Sequence, residues 1–371
     1  MARGNRVAAL QTAAWKLRQR IRLLPRHHHR ACEQEVVCGA GAAGVSVAAV
    51  STQQLQELHP GCSAPRNPGS AGVMRYYAVI DSAQRPHFHE RLDRLGATYC
   101  SLFDQQAEES LTEIAPLLVA CDRADPTSRL ALELERLGAA KPAVSYIGSA
   151  MPMQDLACHF GTFHLVKVPV EQGERDMLLR WYDTRILPVW LQLLTAEQKA
   201  VFTAAIEEWH YFDRFGDLQP LPLPGPLAAG LAALPPLRLD DAQYAEFLDA
   251  CEPDVAIAQL RRIIPDEMRR VEHRVLYPFV QQQMEQARAH GLGSIDDHVH
   301  YLLLALYTNG RFRSHPYVAD RLAAPASMHE QAFAAWAATV PADVWELGRP
   351  LWESAPIAPS NDIADHLRSA L

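Results

Sequence analysis

The chain lacks any long apolar run. Nothing in its 371 residues approaches the ~18 consecutive apolar residues of a membrane-spanning helix, and the best stretch, Leu227 to Leu234, is far too short. A cysteine framework is missing as well. Seven cysteines stand at 32, 38, 62, 100, 121, 158 and 251, an odd number with no C-x-x-C pair. That pattern fits reduced thiols in the cytoplasm better than disulfides or a zinc site. The short catalytic motifs are absent too: there is no H-E-x-x-H, no G-x-S-x-G elbow and no phosphate-binding P-loop. Acid is missing from one place only. Residues 1–30 hold eight Lys/Arg and no Asp or Glu, so the net charge of −8 leaves −16 on the rest. An acidic body argues against nucleic acid as the partner.

What remains is ordinary soluble protein, 49% hydrophobic and 21% charged, long enough for two lobes with ample core. The first 73 residues stand apart. The basic segment has no continuous apolar core or small-residue cleavage site of a secretory signal. Behind it, Gly39, Gly41 and Gly44 make a formal G-x-G-x-x-G. Glycines so placed let backbone amides at a helix start approach a pyrophosphate, which keeps an FAD- or NAD-dependent oxidoreductase open as the alternative. The context is poor: the preceding strand is short, and no acidic residue follows ~20 positions on. The segment 1–73 reads as an unstructured or wrongly started extension, with Met74 as a natural start.

From residue 74 to 219 strands and helices interleave, which implies an α/β lobe with a mixed sheet and flanking helices. Strands are expected at Tyr76–Ile80, Tyr99–Phe103, Leu117–Cys121, Val144–Ile147, His164–Val168 and Met177–Tyr182. Helices are expected at Pro86–Leu95, Thr127–Gly138 (closed by its glycine) and Met153–Phe160. Thr195-Ala196-Glu197-Gln198 is a capping box opening a helix to about Trp209. A proline-rich connector occupies 220–238. An all-α lobe follows over 239–345. Asp240 or Asp241 caps a helix to Cys251, Pro253 starts another, and a long one runs from Asp266 to His290. Ser294 caps a helix whose core stripe is Val299, Leu302, Leu303 and Leu306. Residues 346–371 read as a tail.

His298 and His300 invite a metal reading, but residues two apart on a helix point ~200° apart around the axis. His87 and His89 fall under the same argument. Ser149 has neither elbow nor partner histidine. No cofactor or metal is therefore expected. Two polar or aromatic clusters remain. Arg180, Asp183 and Arg185 are either an interaction surface or an ion-pair clasp that fixes a turn, the clasp being favoured. Trp209, His210, Tyr211 and Phe212 form an aromatic patch, read as interlobe packing or a partner surface.

The stretch Leu179-Arg180-Trp181-Tyr182-Asp183-Thr184-Arg185-Ile186-Leu187 alternates like a strand, then turns into helical spacing through Trp190, Leu191 and Leu194. It resembles the signature of the effector adaptors, or loading chaperones, of the bacterial type VI secretion system. That family is catalogued as a domain of unknown function and includes the Tap and Tec adaptors. Tyr77–Ala83, Ser101–Phe103, Ala115–Val119, Val144–Ser149 and Leu156–Val168 resemble its other landmarks in order. A looser likeness continues through Ala287–Leu292 and Gly310–Phe312. Thr184 stands where the family usually has proline, and is expected to cap the helix instead. The resemblance implies a cytoplasmic, non-enzymatic adaptor that binds a specific toxic effector and loads it onto the spike protein VgrG. It implies no nucleic-acid or membrane partner. Protein contacts are then expected among Arg180, Tyr182, Asp183, Arg185, Trp209 and Tyr211.

Overall fold

A computed structural model describes residues 73–104, 106, 108–224, 237–324 and 331–354. The expectations for residues 1–72, including Gly39, Gly41 and Gly44, lie outside the described residues. The chain divides between Ala250 and Cys251 into two units. The first is α/β and the second all-helical.

The α/β unit is built on a six-stranded sheet in the order β2-β3-β1-β4-β7-β8. These strands are β1 Arg75–Ile80, β2 Tyr99–Ser101, β3 Leu117–Cys121, β4 Val144–Ser149, β7 Glu208–Phe212 and β8 Leu218–Pro220. Every neighbouring pair is antiparallel. In β1, Tyr77, Ala78, Val79 and Ile80 are all buried, so the strand is covered on both faces. Ala78 and Ile80 pack with Phe88 and Leu92 of α1 (Phe88–Leu95) and with Leu134 and Leu137 of α2 (Arg129–Ala140). Trp209, which lies opposite Ile147 in the ladder, belongs to an aromatic core. There Trp181 stacks on Phe160 of α3 (Met153–Gly161) with centroids 4.5 Å apart, and Trp209 stacks on Phe202 at 5.8 Å.

A second, two-stranded sheet pairs β5 (Leu165–Val170) with β6 (Gly173–Leu178). Here the structure corrects an expectation: the strand ends at Leu178, not Tyr182. Residues 179–186 are coil and turn, yet Leu179 to Thr184 are all buried. Their alternation of residue types does not reflect a ladder. The capping box is present, with Thr195 and Gln198 bonded reciprocally, but its helix α5 (Ala196–Phe202) stops seven residues before Trp209. The patch Trp209–Phe212 is a sheet strand within the α/β unit, not a helix end. Gly138 lies inside α2 rather than after it. A Cβ there would run into the Phe212 ring, so the glycine allows strand and helix to approach.

The helical unit differs from expectation at two prolines. Helix α6 (Asp241–Ile263) runs straight through Pro253, which starts no new helix. Asp240 caps it through Gln243. The long helix expected from Asp266 is two, Pro265–Met268 and His273–Ala289, the second interrupted by no break at Pro278. Gly291, at φ +77°, ends it in the left-handed conformation. Ser294 caps the helix Ile295–Thr308 by accepting from Asp297 N–H at 3.1 Å. From His298 to Thr308 this helix is buried all round, not along one stripe. Leu351 and Trp352 are buried on a last short helix, Leu351–Ser354, within the segment read as tail.

Candidate functional site

The signature turn is held by a chain of alternating charges. Asp81 stands immediately after β1 and its carboxylate is fully buried. It caps a short 3-10 turn, accepting from Ala83 N–H, and its Oδ2 accepts from Arg180 Nη2 at 2.6 Å. Arg180 also reaches Asp183 at 3.9 Å. Asp183 is in turn gripped by Arg185: Oδ1 accepts from the backbone N–H and from Nε, each at 3.0 Å, and Oδ2 accepts from Nη2 at 2.6 Å. Gln84 donates to the same Oδ2 at 3.3 Å. Two arginines and two aspartates thus neutralise one another where β1, the 3-10 turn and the start of α4 (Leu187–Leu193) meet.

The electrostatics follow from burial and pairing. Burial pushes the Asp183 carboxyl up, but the charge and hydrogen bonds of Arg185 outweigh it and hold the group below the usual range. Burial also pushes Asp81 up; Arg180 offsets this only in part, and the net direction is upward. No carboxylate here is free to act as a base, and none faces solvent. The arrangement ties the chain to itself.

The expected contact residues therefore divide. Arg180, Tyr182, Asp183 and Trp209 are buried, so the structure places them in the interior rather than on a surface. Tyr182 meets the Phe103 ring edge-on with centroids 6.4 Å apart. Arg185 and Tyr211 are half-buried, Tyr211 lying opposite Ser145 and Gln219 in the sheet. Thr184 does not cap the helix. Its hydroxyl is buried without a partner, the helix start at Leu187 has no side-chain cap, and Asp183 accepts instead from Arg185 N–H within the preceding turn.

Sequence reasoning gave no role to Asp81 or Gln84, which lie 99 residues from their partners. The available signal was an acid placed directly after the buried run Tyr77–Ile80. It also overlooked two His–Glu pairs, one buried and one half-buried at its glutamate. His164 Nε2 lies 3.1 Å from Glu108, and His298 Nδ1 lies 2.7 Å from Glu252. Burial pushes both glutamates up, but their histidine partners pull each net below the usual range. His298 and His300 take different partners, Glu252 and Leu292 O for one and Asp296 O for the other. Cys100 and Cys121 are free thiols. Burial pushes Cys100 and Cys121 up to about 12, which makes them poor nucleophiles.

The clasp and its flanking strands fall within one recognised segment. Residues 76–200 match the domain of unknown function DUF4123. The DUF4123 segment contains Asp81, Gln84, Arg180, Asp183 and Arg185, and runs from β1 into α5. The looser likeness at Ala287–Leu292 and Gly310–Phe312 lies beyond it. No curated protein and no solved structure matches the chain.

Proposed function

We propose that this chain is a non-enzymatic adaptor of type VI secretion, which binds a cognate toxic effector in the cytoplasm and hands it to a VgrG spike. The observation that carries the reading is the DUF4123 match over residues 76–200, because that domain is associated with type VI effectors. The charge chain adds support. The one dense polar cluster of the signature is consumed in holding a turn, as an architectural role requires and a catalytic one does not. An adaptor that meets two partners has a use for two units, and the chain has two of different architecture. Among the described residues no helix is long and apolar enough to cross a membrane.

The test is co-purification of the full chain with the products of the adjacent toxin-like and spike genes. A stable complex by size exclusion, with the effector insoluble or unstable alone, is the expected result. A lone, yellow protein that ignores both neighbours refutes the adaptor and revives the Gly39-Gly41-Gly44 oxidoreductase.

A further inference from the structure

His298 is set between two hydrogen-bond acceptors. It lies on the helix Ile295–Thr308, and its side chain is 1% exposed. Its Nδ1 lies 2.7 Å from Glu252 Oε1 on α6, and its Nε2 lies 2.8 Å from Leu292 O in the turn before the helix. A carbonyl and a carboxylate can only accept, so each of these contacts needs a proton on the ring nitrogen. A neutral imidazole carries one proton, and either tautomer would leave a ring lone pair pointed at an oxygen in a site closed to solvent. The missing proton does not sit on Glu252. Arg288, from the helix His273–Ala289, donates to the other oxygen of that carboxylate. Burial pushes Glu252 up, but His298 and Arg288 together hold it below its ordinary range.

The charges around the ring ask for a cation. Asp296 and Asp297 share the first turn of its helix. Asp297 accepts from Ala334 N–H at 3.0 Å and its charge acts on Arg321, from the helix Pro316–Ala323. Three acids then stand against two arginines, and a charged ring balances them. Other histidines lack the arrangement. His315 places Nε2 3.2 Å from Asp343 and accepts Tyr317 N–H on Nδ1, which one neutral tautomer satisfies. His300 donates from Nδ1 to Asp296 O, and its Nε2 has no partner. Only His164, between Glu108 and Gly161 O, repeats the pattern among these.

We propose that His298 is an imidazolium in the folded chain, and that its two ring protons clamp α6 to the turn at Leu292, so that folding takes up a proton and a rise in pH opens the clamp. The inference stands apart from the adaptor reading. A proton held in the folded state and released in the unfolded one favours folding at low pH. Its contribution is complete below about pH 6.5, the ordinary histidine range, and is lost as pH rises to the point where the folded ring gives up its proton. Glu252 sets the opposite, acid limit.

The test is nitrogen-15 NMR of the full chain labelled in its histidine rings, at about pH 7.5, where an ordinary histidine is mostly neutral. Expected is a ring with protons on both nitrogens, missing from His298→Gln. Glu252→Gln should turn that ring neutral without unfolding the chain, because the new amide can donate to Nδ1 while Nε2 keeps its proton for Leu292 O. If His298→Gln does not fold, the change in Glu252→Gln makes the assignment. A single proton on the His298 ring, or a doubly protonated ring that persists in Glu252→Gln, overturns the proposal. Glu108→Gln decides the same question for His164. A second readout is urea unfolding followed through the indole signals of Trp345 and Trp352, both buried in the helical unit. The unfolding constant of wild type should grow relative to that of Glu252→Gln by up to about tenfold per pH unit above about pH 6.5, the slope of one proton. Identical pH dependence of the two chains from there to about pH 8.5 refutes the clamp.

Discussion

Replacing Arg180 by Met tests the clasp most directly. The methionine keeps much of the volume and removes the charge. Asp81, whose side chain has no exposure, then loses its 2.6 Å partner and keeps only the Ala83 N–H. Removing one member of a buried ion pair typically costs ~3–5 kcal/mol, because the remaining charge stays desolvated. That is a large share of the ~5–15 kcal/mol by which a whole domain is stable. For a unit of this size each kcal/mol moves the midpoint by roughly 2–4 °C, so a fall of about 6–20 °C is expected. Tryptophan fluorescence during urea or thermal unfolding reads it, since Trp181, Trp190 and Trp209 all lie in the α/β unit. The pair Asp81→Leu with Arg180→Met removes both charges together and is expected to recover most of the loss. A loss below ~1 kcal/mol in the single variant, or no recovery in the double, would refute the view that this pair holds the turn.

Three further outcomes follow from the same geometry. Gly138→Ala raises helix propensity by ~1 kcal/mol in an ordinary helix, but here the new methyl meets the Phe212 ring, so a net loss of ~1–3 kcal/mol is expected and any gain in denaturant midpoint refutes it. Thr184→Pro gives up a 3.3 Å bond to Pro142 O and removes an unpartnered buried hydroxyl; its stability should stay within ~1 kcal/mol of wild type, and a loss above ~2 kcal/mol by chemical denaturation shows that the threonine is needed. Glu252 has a folded pKa below its unfolded value, so its contribution is present above about pH 4 and is lost as pH falls through the folded value. Glu252→Gln should accordingly flatten the acid limb of the stability profile of the helical unit, and an unchanged limb excludes that pair as its source.

The order of elements was legible because each carries its own local cause. Thr195 with Gln198, Ser294 and Gly291 mark helix ends through backbone groups that must be satisfied, and those marks survive in the structure. Failures occurred where a distant contact overrides the local rule. The alternation of Leu179 and Trp181 mimicked a strand because all of that turn is interior, so apolar residues recur without a ladder. Pro253 reads as a helix start, yet Phe247, Cys251, Ala256, Ile257 and Leu260 are buried on either side of it, and that burial outweighs one missing hydrogen bond. The clasp was half visible. Arg180, Asp183 and Arg185 share a short stretch whose charges suggest pairing. Asp81 entered only through the fold, because nothing local connects it to a residue 99 positions on.

The interior position of the signature has a consequence for how such chains diversify. A motif that is spent on joining a strand end to a helix start specifies a frame, and the frame is indifferent to what is mounted on it. Glu171, Glu174 and Asp176 are exposed on the β5–β6 hairpin, whereas Asp81, Arg180, Asp183 and Arg185 pair with one another. Exposed side chains of this kind can therefore change one at a time on the outside without renegotiating the inside.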